Sequence, residues 1–199
     1  CDLTQGDVAA DLATAAGRAA LVDGVARLSG GRLDGIVANA GGGPAETMIA
    51  LNFFGTVATL EGLRPLLANS EAPRAVAISS VSSLGAGEAE VVEACLGLDE
   101  AQANAAVDRV LAVGKPGLEL YGSAKLALNR WARRAAVSAE WAGAGAILNV
   151  VAPGVIDTPA AAWILSSEDG RAEMARRTPL RAARAAAAEA LAALAAWCV

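Results

Sequence analysis

The sequence predicts an α/β protein with a parallel sheet covered on both faces. Three observations carry this. Short apolar runs at 33–41, 74–80 and 146–151 alternate with longer helix-periodic segments. Each run stops abruptly, at Gly41, at Ser79-Ser80 or before Pro153-Gly154. The runs are apolar on both parities, as buried parallel strands are.

The elements follow in order. Residues 14–28 read as a first helix. The run 33–41 reads as a strand with its exit turn, Asn39-Ala40-Gly41. Residues 46–67 carry helix spacing, with Met48, Leu51, Phe54, Val57, Ala58 and Leu60 on or near one side. The run 74–80 is a second strand. Residues 88–113 break the rhythm and predict a helical hairpin. Gly97 ends its first helix, and Asp99-Glu100-Ala101-Gln102 caps its second. Val107, Val110 and Leu111 give that second helix an apolar stripe. Residues 120–141 predict a long helix and 146–151 a third strand. Two helical stretches follow Pro159, the last being the alanine-rich 182–197. There is no repeat and no linker-like tract. The chain reads as one domain over 1–199, with a helical insertion at about 86–116.

Composition limits the chemistry. The formal net charge is -5, which argues against nucleic acid or an anionic membrane surface as partner. The basic cluster Arg130, Arg133 and Arg134 has helical spacing and reads as a solvated helix face. No run of bulky apolar residues is long enough to span a bilayer. The three cysteines, Cys1, Cys95 and Cys198, are far apart and have no metal-ligand or redox spacing, which suggests a reducing, cytoplasmic compartment. The sequence has no histidine. That removes a Ser-His-Asp triad, a Cys-His pair and a histidine-rich zinc site; no metal site is expected.

Acid-base work must therefore use other groups. Tyr121 is the sole tyrosine, and Lys125 follows it by four. On a helix, residues i and i+4 share a face. A phenol alone is a poor base at neutral pH, but a nearby ammonium favours the phenolate. Such a pair can exchange a proton with an alcohol or carbonyl oxygen. Further polar residues sit at strand ends or on facing helices: Asn39, Ala40 and Gly41, Asn52, Ser79 and Ser80, and Pro153 to Thr158. Each alone also reads as a turn, a satisfied buried group, a cap or a strand stop.

Taken together these motifs resemble the short-chain dehydrogenase/reductase family over nearly the whole chain. The family's signatures stand as N-A-G at Asn39-Ala40-Gly41, N-x-x-G at Asn52 to Gly55, I-S-S at Ile78-Ser79-Ser80, Y-x-x-x-K at Tyr121 to Lys125, and P-G-x-x-x-T-P at Pro153 to Pro159. The long segment between Ser80 and Tyr121 is similar to that of the bacterial 3α-hydroxysteroid dehydrogenase/carbonyl reductases within the family. So are Asp11 to Arg18 and Gly35 to Gly41.

The resemblance implies a Rossmann-type, doubly wound parallel sheet. It implies Tyr121 as catalytic acid/base, Lys125 lowering its pKa and holding a nicotinamide ribose, Ser80 bonding the substrate oxygen, and Asn52 holding a water that links Lys125 to solvent. Ile156 and Thr158, on the Pro153-Gly154 loop, would hold the carboxamide or nearby phosphate. Asp11 and Leu12 would touch the adenine. Asp2, read as the end of a preceding strand, would take the ribose hydroxyls and favour NAD over NADP. A hydroxysteroid or apolar ketone is the implied substrate, with Trp163, Ile164, Leu165 and Met174 lining an apolar pocket or packing as core. A homodimer is implied, with the hairpin in its contact; a substrate lid or plain surface insertion is the other reading of that hairpin. The family's first strand, its glycine-rich phosphate loop and its last strand have no counterpart in these residues. The expectation is thus a fragment of a longer dehydrogenase, or else a non-catalytic scaffold that keeps the fold for binding.

Overall fold

The computed structural model describes residues 3–114, 117–177 and 186–199. Its centre is a parallel sheet of three strands in the order β1-β2-β3: β1 (Gly35–Ala38), β2 (Arg74–Ile78) and β3 (Ile147–Val151). Gly35 pairs with Arg74 and Arg74 with Ile147, so the strands start in register and their C-terminal ends lie together. Ala75 to Ile78 of central β2 are buried on both faces, which explains their unbroken apolar run. Among the described residues the sheet has three strands, fewer than a full doubly wound sheet.

Helices cover both faces. On one, Ile36, Ala38, Ala75, Ala77 and Leu148 pack with residues of α2 (Thr56–Leu63) and α5 (Gly117–Ala135). On the other, Val76 and Ile78 pack with Leu191, Ala195 and Cys198 of α8 (Ala188–Cys198). α1 (Ala15–Leu28) is started by Thr14, whose hydroxyl accepts the Gly17 N–H at 3.0 Å.

The hairpin forms as α3 (Ala89–Leu96) and α4 (Glu100–Ala112). Asp99 caps α4 by accepting the Gln102 N–H at 2.9 Å. The left-handed residue between the helices is Leu98 (φ 57), not Gly97. Val91, Val92, Ala94, Cys95, Val107 and Val110 join the main core, so the hairpin spends its apolar stripe inside the chain.

Four boundaries differ from expectation. The segment 46–67 is not one α-helix. It is a 3-10 turn (Ala45–Thr47), a π-helical stretch (Ala50–Gly55), α2, and a second 3-10 turn (Arg64–Leu67). α5 ends at Ala135, and Trp141 lies beyond it, buried, with its indole N–H bonded to Glu61 at 2.9 Å. Residues after Pro159 give α6 (Ala162–Leu165) and α7 (Glu168–Arg177). The first residues of the alanine-rich stretch, 182–185, lie outside the described residues; those that follow form a two-residue strand, β5 (Ala186–Ala187), paired to β4 (Ile156–Asp157), before α8. Among the described residues no helix is long and apolar enough to cross a membrane.

Candidate active site

The site lies beyond the C-terminal ends of β1 and β2, where parallel sheets leave room between diverging helices. β2 delivers Ser79 and Ser80. Ser79 is held down by its N–H to Val151 O at 2.7 Å. Ser80 heads the short 3-10 turn Val81–Leu84, and its hydroxyl oxygen accepts the Ser82 N–H at 3.1 Å. The Ser80 hydroxyl also faces the Tyr121 phenol closely enough to pull its pKa down in part.

α5 delivers Tyr121 and Lys125 on one face. The Lys125 ammonium lies 5.7 Å from the centre of the Tyr121 ring and donates to Ile78 O at 2.8 Å. Burial pulls its pKa down to about 8. Burial also pushes the Tyr121 phenol above its ordinary value, and the Ser80 hydroxyl opposes this in part. With the ammonium turned to Ile78 O, the phenol is kept protonated by desolvation rather than ionised by its lysine.

Asn52 arrives from the π-helical stretch and is fully buried. Its amide nitrogen donates to Gly42 O and Met48 O, both at 2.8 Å, and its oxygen accepts the Gly42 N–H at 3.0 Å. The side chain thus pairs with the turn after β1 as a neighbouring strand would. The pairing falls inside the π-helical stretch, whose wide turn lets Asn52 reach both Met48 O and the Gly42 backbone. Two glycines make the approach possible. A Cβ at Gly41 would sit 2.9 Å from Asn52 Oδ1 and 3.7 Å from Lys125 Nζ, so both side chains converge on that point. A Cβ at Gly55 would sit 3.0 Å from Leu12 O, so the glycine lets this segment lie on the backbone of the Asp11-Leu12 loop.

The structure therefore brings Asn52, Ser80, Tyr121 and Lys125 into one cluster. Pro153 joins it, since its carbonyl accepts the Val81 N–H at 3.0 Å. Ile156 lies on the β4–β5 ribbon, and Thr158 just beyond it. A groove of about 640 Å³ runs along β1 and is lined by Asp11, Leu12, Asn39, Ala40, Gly41 and Leu51, among others. Asp11 is exposed there, while Leu12 is mostly buried against Leu21. Met174 is buried as core, and Ile164 and Leu165 are half-buried. Asp2 and the side chain of Trp163 lie outside the described residues.

Two residues near the cluster were not anticipated. Asn129 donates to the Ser83 hydroxyl at 2.8 Å, and that hydroxyl donates to Ser80 O at 2.6 Å. Asn129 follows Lys125 by four, so continuing the same helix face by one turn would have found it.

The chain is similar to known proteins on this ground. A family model described as enoyl-(acyl carrier protein) reductase matches residues 101–199. The chain is 37% identical to the 3-alpha-hydroxysteroid dehydrogenase/carbonyl reductase of Comamonas testosteroni over 166 residues, 79% of this chain but 62% of that enzyme. It thus spans less than two thirds of the length of that relative. The crystal structure of the 3-alpha-hydroxysteroid dehydrogenase from Pseudomonas sp. B-0831 complexed with NADH superposes with a TM-score of 0.82 at 34% identity, covering 98% of this chain and 77% of that one. The Pseudomonas aeruginosa RhlG/NADP active-site complex superposes with a TM-score of 0.65 at 28% identity, covering 94% and 66%.

Proposed function

Because the chain belongs to the short-chain dehydrogenase/reductase family, we propose that it serves a nicotinamide-dependent oxidoreductase interconverting a secondary alcohol and a ketone. The observation that carries this reading is the buried Lys125 ammonium, bonded to Ile78 O at 2.8 Å and 5.7 Å from the ring of half-buried Tyr121, with the Ser80 hydroxyl facing the phenol. A surface tyrosine-lysine pair would have neither the burial nor the serine. A binding scaffold would have no use for a lysine that is 3% exposed and held by a single carbonyl.

The roles follow from the chemistry. In the reducing direction Tyr121 gives its proton to the carbonyl oxygen, and the oxygen's new electron pair accepts it. In the oxidising direction the phenolate takes the proton back from the alcohol. Ser80 holds the same oxygen with its hydroxyl hydrogen. Lys125, whose pKa burial brings down to about 8, would stabilise the phenolate on turning from Ile78 O towards Tyr121 and pass the proton on, with Asn52 keeping the exit beside Gly41 in place.

The residues present fit a nicotinamide dinucleotide. The groove along β1 is open beside Asn39, Ala40 and Gly41, and Gly42 and Gly43 hold φ of 101 and 90 with no side chain to fill it. Asp11 and Leu12 would flank the adenine, and Pro153, Gly154, Ile156 and Thr158 the nicotinamide end. When bound, the cofactor supplies or takes the hydride at the carbinol carbon. NAD rather than NADP rests on the carboxylate of Asp2 and on the similarity to a dehydrogenase complexed with NADH. A hydroxysteroid or another apolar carbonyl compound is the proposed substrate, from the similarity to the Comamonas enzyme. A cytoplasmic homodimer completes the reading. With the hairpin's stripe buried, its contact needs other surface than that stripe, and analytical ultracentrifugation reads the assembly.

The test is turnover of apolar ketones with NADH by wild-type protein and Tyr121→Phe. The variant should lose about 10³-fold in rate while its melting curve stays in place. Equal turnover by both would sink the proposal.

A further inference from the structure

The inserted hairpin touches both halves of the cluster through polar contacts that neither core packing nor the proposed proton chemistry requires. At its start, the Glu88 N–H donates to Ser123 Oγ at 2.8 Å, on α5 between Tyr121 and Lys125. At its second helix, Glu100 holds Arg18 of α1 in a two-pronged pair of 2.6 and 3.1 Å. The Arg18 side chain is only 10% exposed, though Glu100 is more open. The same guanidinium reaches Ala50 O at 3.5 Å, a long bond. Ala50 is the first residue of the π-helical stretch, two before Asn52. α4 also packs directly on this stretch and on the 3-10 turn before it.

A π-helical turn has weak ladder bonds and is held by what surrounds it. Here the outside hold comes from a planar fork that fixes distance and direction together. The fork sits at the junction of three elements: α1, the Asn52 stretch and the hairpin. From these contacts we infer that Arg18 and Glu100 are positioning residues for Asn52. They make the hairpin a strut that keeps the Asn52–Gly42 pairing in line with Lys125. The inference rests on the reading of Asn52 as part of the site.

The experiment compares wild type with Glu100→Ala, the milder Glu100→Gln, and the exchanged pair Arg18→Glu/Glu100→Arg. Hydrogen exchange by NMR is followed at the Asn52 side-chain amide and the Gly42 N–H. The Trp141 indole N–H, bonded to Glu61 far along α2, reports general loosening. Expected for Glu100→Ala is exchange about tenfold faster at Asn52 and Gly42 with Trp141 unmoved, and partial recovery in the exchanged pair. Where turnover is measured, kcat should fall about tenfold with the KM for the alcohol unchanged. If Glu100→Ala does not fold, Glu100→Gln decides by the same signals at smaller amplitude. Unmoved Asn52 and Gly42 signals overturn the inference, as does a Trp141 signal that moves in step with them. Absence of turnover in the wild type would remove the oxidoreductase proposal and leave the exchange result to judge the strut.

Discussion

Two helical segments face each other across the site, and they are built differently. α5 is one regular rod of nineteen residues that carries Tyr121 and Lys125. The opposing segment, 45–67, carries Asn52 and is broken into 3-10, π, α and 3-10 pieces. Both have the same apolar periodicity in sequence. The difference lies in where their polar side chains find partners. Tyr121 and Lys125 reach out to Ser80 and Ile78 O and leave the α5 ladder alone. Asn52 turns back onto Met48 O in its own segment and onto the Gly42 backbone. A side chain that competes for backbone bonds reshapes its helix. A regular helix can thus display a catalytic pair, while an irregular one docks a polar group against another loop.

The contrast can be broken most severely at Asn52. Asn52→Ala takes the partner from Gly42 N–H, Gly42 O and Met48 O at once. It should cost about 3 kcal/mol, a fall in Tm of about 6–12 °C for a domain of this size, read by calorimetry. A loss below about 1 kcal/mol would mean that water replaces the amide and that the π turn owes little to Asn52.

The regular side is tested by pH. Lys125 has a folded value of about 8 against an ordinary 10.5. Between these values the unfolded chain holds a proton that the native chain has lost, so stability rises with pH. Cys95 works the other way. Burial, with a smaller contribution from Glu100, pushes its thiol to about 12 from 9.0, so stability falls as pH rises above 9. Tyr121, raised from 10.0, adds to that fall. From 8 to 9 the Lys125 gain is the larger, opposed only by the onset of the Cys95 loss. Unfolding free energy from urea titrations should climb there by about 1 kcal/mol and then flatten. Lys125→Met should abolish the climb. A flat wild-type curve from 8 to 9 would show that the buried ammonium is better solvated than the geometry implies.

These contrasts mark what the sequence could reveal. The three strands were legible because buried parallel strands are written as local apolar runs. Tyr121 and Lys125 were legible because four residues on a helix is a local rule. Asn52 was legible by resemblance, but its π turn was not, since that depends on Gly42 ten residues earlier. The Arg18–Glu100 pair joins residues 82 apart in the chain, and nothing in either neighbourhood points to the other. Trp141 fell outside α5 because its indole is bonded to Glu61 and buried under the Arg64 guanidinium, 6.0 Å from its ring. Periodicity records which face is apolar; it does not record a polar partner supplied by a distant segment.

A smaller change sharpens the comparison from within α5. The Ser123 hydroxyl donates to Glu119 O at 2.7 Å, one turn back, and accepts the Glu88 N–H. The helix stays regular because Ser123 adds a bond to a carbonyl without displacing one. Ser123→Ala should cost about 1 kcal/mol by loosening the hairpin start, with helical circular dichroism unchanged. Loss of helix signal would show that α5, too, depends on side-chain support.

The smallest effect belongs to Pro65, in the 3-10 turn that closes the irregular segment. Proline has no N–H to give to the carbonyl four residues back, and its ring crowds that carbonyl. That local cause alone could end α2. A tertiary cause acts beside it: Leu66 O accepts the Leu33 N–H at 2.8 Å, tying this turn to the entry of β1. Pro65→Ala removes only the local cause. It also frees the unfolded chain, which costs about 0.5 kcal/mol, and the regained N–H offsets part of that. The net shift in urea midpoint should therefore be small, and helical content should hardly change, because Leu33 still claims Leu66 O. A clear gain in helix would assign the ending of α2 to proline alone. The irregularity of 45–67 would then have two separate causes, the pairing of Asn52 with Gly42 in its middle and Pro65 at its end.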